Sequence, residues 1–109
     1  MVTEAAFRKM ALALPGAAEE PHFEKPSFRR KGKIFATYHR GNNKAMLKLT
    51  PVLQAVYAAY GPDVYLPVPG YWGRQGATFV LLALADEAVF AEALQAAWEG
   101  AGTKKKGKQ

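Results

Sequence analysis

The sequence predicts an α+β domain: an antiparallel sheet of about five to six short strands, with helices at the N-terminus, in the middle and at the C-terminus. Three observations lead there. Apolar residues recur at helical spacing in three separate stretches. Between the first two, from Glu19 to Leu49, the pattern changes to short alternating runs. Proline and glycine punctuate the boundaries.

Taken in order, Thr3 is placed to cap a first helix whose buried face is Phe7, Met10, Ala11 and Leu14. Pro15-Gly16 ends it. Phe28 to Arg30 and Lys33 to His39 then flank Lys31-Gly32, a tight hairpin turn. Strict alternation puts Ile34, Ala36 and Tyr38 on one face of the second strand, and Lys33, Phe35, Thr37 and His39 on the other. After a turn at Arg40-Gly41-Asn42-Asn43, Lys44 to Leu49 alternates again. Ala45, Leu47 and Leu49 share one face, and Lys44, Met46 and Lys48 the other. This reads as a meander with one packed and one wet face. Thr50-Pro51 starts a second helix with an apolar stripe of Val52, Leu53, Val56 and Tyr60, stopped by Gly61-Pro62. Val64 to Val68 is confined to a sheet edge by Pro67 and Pro69. Pro69 to Gly76 reads as a glycine-rich loop, and Thr78 to Leu84 as a buried strand. Asp86 caps a last helix whose face is Phe90, Leu94, Ala97 and Trp98. The domain is expected over residues 1–100, with a basic flexible tail over 101–109.

Half of the residues are apolar and 22% are charged, the proportions of a chain that buries a core. There is no cysteine, which excludes disulfides, cysteine-ligated zinc, iron–sulfur clusters and a thiol nucleophile. The N-terminus lacks a long apolar signal region, and no apolar run approaches the ~20 residues of a membrane helix. A cytoplasmic location is the expectation, with no membrane partner.

Charge is distributed unevenly. Residues 25–48 hold eight cations (Lys25, Arg29, Arg30, Lys31, Lys33, Arg40, Lys44 and Lys48) and no carboxylate. Phe28, Phe35 and Tyr38 are interleaved with them. Cations that neutralise phosphates release counterions, so such a stretch suits nucleic acid. The plainer alternative is a solvated sheet face whose lysines guard an edge. The loop Gly70 to Gly76 adds Tyr71, Trp72 and Arg74 on a permissive backbone, a place for stacking and a phosphate contact. The tail contributes Lys104, Lys105, Lys106 and Lys108. Catalysis is not expected. Ser27 is the lone serine and has no nucleophile-elbow pattern. His22 and His39 have no ligand spacing around them, and Glu19 and Glu20 would point to opposite faces of a strand. No metal or cofactor is expected.

Several segments together resemble the MmcQ/YjbR family. They are Leu14-Pro15-Gly16-Ala17-Ala18-Glu19-Glu20-Pro21-His22-Phe23, Pro26-Ser27-Phe28-Arg29, Gly32-Lys33-Ile34-Phe35-Ala36, Leu47-Lys48-Leu49 and Gly73-Arg74-Gln75-Gly76. The resemblance spans roughly residues 3–100. It implies an α+β domain of a kind compared with double-winged DNA-binding folds, and a DNA-binding role. The family pattern places a tryptophan just after the Arg-Gln-Gly segment, where Ala77 stands here; Trp72 lies upstream instead.

The leading expectation is a non-enzymatic protein that binds nucleic acid, DNA first, through backbone contacts. Arg29, Arg30, Lys31, Lys33, Lys44 and Lys48 would meet phosphates, with Trp72 and Arg74 as a second contact. The alternative is a protein-interaction module anchored on Tyr71-Trp72 and an exposed sheet face. A third is a small-ligand pocket between the sheet and the last helix.

Overall fold

The computed structural model describes residues 1–23 and 25–102. The chain runs α1 (Glu4–Ala13), β1 (Ala17–His22), β2 (Lys25–Arg30), β3 (Lys33–His39), a 3-10 turn (Arg40–Asn42), β4 (Lys44–Lys48), α2 (Pro51–Tyr60), β5 (Tyr65–Pro67), α3 (Tyr71–Arg74), β6 (Ala77–Leu81) and α4 (Glu87–Gly102). The six strands form one sheet in the order β1-β2-β3-β4-β6-β5, every neighbour antiparallel. The α+β class, the antiparallel sheet and its three main helices are as expected. β1 extends the expected meander by one edge strand. The basic tail lies outside the described residues apart from its first two, which continue α4 to Gly102.

Local chemistry accounts for the boundaries. The Thr3 hydroxyl accepts from the Ala6 N–H at 3.0 Å and Thr50 accepts from Leu53 at 3.2 Å, each satisfying an otherwise unpaired donor. Lys31 (φ 54°) and Gly32 (φ 80°) are both left-handed, the backbone a two-residue hairpin needs to match strand twist. Pro67 sits on the edge strand β5, where its missing N–H interrupts no ladder.

One face of the sheet is covered by the helices. Phe7 of α1 meets Phe28, Tyr38 and Phe90 at ring distances of 5.1, 6.0 and 5.4 Å. Leu47, Val80, Leu82 and Leu94 complete the same core. Ala45, Leu47 and Leu49 are all buried here, as the alternation of β4 predicted.

Three expectations need correction. First, β3 does not alternate strictly. Phe28 pairs with Ala36 but Arg29 pairs with Ile34, so Phe35 is an extra residue, a bulge. Phe35 and Ala36 are both fully buried, and Phe35 therefore leaves the wet face assigned to it. Second, α2 buries Tyr57 and half-buries Leu53, while Val52, Val56 and Tyr60 of the expected stripe face water. Third, the loop after Pro69 contains a helical turn, α3. Gly73 and Gly76 allow it to lie against the strands: a Cβ on Gly73 would collide with the Val68 carbonyl, and one on Gly76 with that of Leu49. Gly76 also has φ 110°.

Candidate nucleic-acid interface

The pairing registers place a second set of side chains on the opposite, helix-free face of the sheet. Its middle row runs Glu20, Ser27, Thr37, Met46, Phe79, Leu66 across all six strands. Two residues away along the strands lies a row with His22, Lys25, His39, Lys44 and Leu81. On the other side lie Arg29, Ile34, Lys48 and Ala77. Residues two apart in a strand are separated by about 6.7 Å, so two basic rows flank, at that interval, a row that is partly apolar and carries one carboxylate, Glu20, at its β1 end. Met46, Phe79 and Leu66 are half-buried and lie outside the core cluster.

The charges on this face differ in availability. Lys25, Lys44 and Lys48 form no ion pair among the described residues. The Lys44 ammonium stands 3.9 Å above the Phe79 ring, and that of Lys48 lies 5.9 Å from the Trp72 ring. Arg29 is held by its own surroundings: it donates to Ser27 Oγ at 3.2 Å and to the Pro21 carbonyl at 3.4 Å, and lies 3.9 Å from Glu20. Glu20 is the one carboxylate among the described strand residues of this face.

His39 stands in the middle of the basic row. Its Nε2 is 3.1 Å from the Thr37 hydroxyl, and its ring meets the edge of Phe79 at 5.6 Å. Burial, and then the charges of Lys25 and Lys44, hold its pKa below the usual 6.5. An anion brought beside this imidazole would favour its charged form.

The residues predicted from sequence are thus only partly brought together. Lys44 and Lys48 share the open face. Arg30 does not: its guanidinium stacks 3.8 Å over Trp98 of α4 and donates to the Trp98 carbonyl at 3.0 Å, on the helix side. Lys31 is exposed at the hairpin tip. The bulge sends Lys33, which pairs with Arg30, to the end of the sheet. Arg74 is exposed on α3 and unpaired among the described residues. Arg40, in the same basic stretch, is spent on Glu4 of α1 at 3.0 Å. Sequence reasoning put His39 and Met46 on the wet face of their strands but counted neither of them, nor Lys25 and Phe79, among the contact residues. The signal for Lys25 was its place in the acid-free stretch; Phe79 was masked by its apolar neighbours.

At the end of the open face, where β3 starts and β4 stops, lies a cavity of about 360 Å³. Lys33, Lys48, Tyr71, Trp72 and Gln75 line one part of it, and Ala97 and Ala101 of α4 another. Trp72 is 61% exposed and Tyr71 58%, their rings edge to face at 5.3 Å. Among the described residues, no group of three or more metal-ligating side chains gathers, and no helix is long and apolar enough to cross a membrane.

The comparisons with known proteins agree with this architecture. The YjbR family model matches residues 12–100. The crystal structure of the Deinococcus radiodurans protein DR2400, a DUF419 family-model domain, is similar with a TM-score of 0.82. That likeness covers 100% of this chain and 83% of that one at 19% identity, and so speaks for the fold alone. No curated protein matches the chain.

Proposed function

The chain belongs to the YjbR family, and from that premise we propose that it is a non-enzymatic nucleic-acid-binding protein whose contact surface is the helix-free face of its sheet. The observation that carries this is the set of cations there without an ion pair among the described residues, Lys25, Lys44 and Lys48, opposed among those residues by one strand carboxylate that already faces Arg29. Lys33 and Arg74 extend the set at one end. Ions that are not neutralised within the protein are free to displace counterions from a polyanion. Contact is to the backbone first, because lysines on a flat surface meet phosphates without reading base edges.

The test is fluorescence anisotropy with labelled DNA over a salt series. If about five phosphates are neutralised, the log–log slope is about −4.5 on duplex DNA and about −3.5 on a single strand. Replacing both Lys44 and Lys48 by Gln should flatten the slope by nearly two units. A flat salt response, or no binding at about 50 mM salt, ends the proposal.

A second reading, a protein-interaction module, is supported by a different surface. Val52, Val56 and Tyr60 of α2 face water together, in addition to Tyr71 and Trp72. It takes precedence if no nucleic acid binds and substitutions at Tyr71 and Trp72 still abolish capture of a defined partner.

A further inference from the structure

The open face spans six strands, and neighbouring strands lie about 4.8 Å apart, so it is about 24 Å wide. The major groove of duplex DNA is about 12 Å wide and admits a helix or a two-stranded ribbon. The β2–β3 hairpin is not a free ribbon, because β1 accompanies β2 to its last residue, Ala17 opposite Arg30. A duplex would therefore rest on the outside of this face. Its bases would stay stacked and paired, out of reach of Phe79 and Trp72.

Of the two, Trp72 is nonetheless presented to solvent. Trp72 is 61% exposed, its ring and that of Tyr71 meet edge to face, and the Lys48 ammonium lies 5.9 Å from its centre. The cavity beside Trp72 combines apolar walls, Ala97 and Ala101, with two lysines, Lys33 and Lys48, that form no ion pair among the described residues. Its volume, about 360 Å³, is that of a small-ligand site. An aromatic surface with cations beside it suits a flat heterocycle joined to phosphates. Lys48 also belongs to the open face, where Lys44 follows about 13 Å along β4, so a strand leaving the cavity meets a further cation.

We propose that the nucleic acid bound here is single-stranded, with one unpaired base stacked on Trp72 in this cavity and its flanking phosphates on Lys33 and Lys48. This rests on the nucleic-acid reading above and narrows it. Recognition of the base is by its flat face, which every base offers, so sequence preference is weak.

The test compares a labelled oligothymidylate with a duplex of equal length, at about 50 mM salt, using the full chain. Intrinsic tryptophan fluorescence is followed in parallel, and Trp98, held under Arg30 on the helix side, serves as an internal reference. Expected are tighter binding of the single strand and quenching on binding. Trp72→Leu should abolish the quenching and weaken single-strand binding about five- to hundredfold, with duplex binding unchanged. Its thermal transition should match the wild type, since the ring is largely solvent-exposed. Equal or tighter duplex binding, or single-strand binding that leaves Trp72 unquenched, overturns this inference and leaves the broader function standing. Binding to neither probe overturns both.

Discussion

The two faces of the sheet draw on one basic stretch and treat its charges in opposite ways. On the covered face Arg30 is stacked on Trp98 and bonded to its carbonyl. Arg8 and Arg40, at the helix side, are paired with Glu4 and Glu19. On the open face Lys25, Lys44 and Lys48 are left without a counter-charge among the described residues. Arg8, Arg30 and Arg40 thus tie elements of the fold together, and Lys25, Lys44 and Lys48 stay available. The distinction follows from side-chain chemistry: guanidinium is weakly hydrated and planar, suited to stacking and forked bonds, while ammonium is a strongly hydrated point charge that prefers water.

The largest effect that sharpens this contrast is expected at the aromatic rings. Phe35 is fully buried in the covered core, and Phe35→Ala should destabilise the protein by about 3–5 kcal/mol. Phe79 is half-buried on the open face, and Phe79→Ala should cost less than half as much. Urea unfolding of both variants measures the difference. Equal losses would mean that the open face is packed in solution and is not a free surface.

The next effect comes at the junction of the two faces. Gly76→Ala must place a Cβ against the Leu49 carbonyl from a left-handed backbone. A loss of at least about 1–3 kcal/mol is expected, together with weaker nucleic-acid binding because α3 and Trp72 are displaced. If stability falls and binding does not, Trp72 is no part of the interface.

These two predictions also mark what the sequence made legible. The helix caps, the Lys31-Gly32 hairpin and the alternation of β4 follow from local chemistry, so the sequence alone puts Lys44 and Lys48 on one wet face. The bulge at Phe35 was not legible, because an inserted residue is defined only against its pairing partner. Without it, Lys33 and Ile34 exchange faces. The helix Pro51–Tyr60 is apolar around most of its circumference, so periodicity alone could not choose Tyr57 over Val56 as the buried residue. Phe79 sits in a continuous apolar run, where the open-facing and core-facing positions look alike. Arg30 and Arg29 are neighbours of the same type, and their opposite fates depend on Trp98, 68 residues away.

A smaller pair of effects should separate the two kinds of cation. Arg30→Gln removes a cation–π contact and a hydrogen bond, a loss of about 1 kcal/mol, with nucleic-acid affinity kept. Lys48→Gln should do the reverse: little change in stability, and affinity reduced most at low salt. Thermal unfolding and anisotropy on the same two variants decide it. A loss of affinity in Arg30→Gln as large as that in Lys48→Gln would remove the division of labour between the faces.

The smallest expected effect is a pH dependence centred on His39. Its folded pKa is held below 6.5 by burial and by Lys25 and Lys44, while the unfolded chain keeps the ordinary value. As pH falls through 6.5 the unfolded state takes up a proton before the folded state does. The stabilisation is therefore complete above that value and declines until the lowered folded pKa is passed. His39→Gln should flatten this part of the stability profile, measured by urea unfolding at a series of pH values. Binding should run with the opposite sign. A phosphate lying between Lys25 and Lys44 favours the charged imidazole, so affinity should rise as pH drops over the same window, and the rise should vanish in His39→Gln. The two slopes come from one proton on one ring, and opposite signs are expected only if the anion sits on the open face. An affinity profile that rises equally in wild type and variant would place the bound phosphates elsewhere on the molecule.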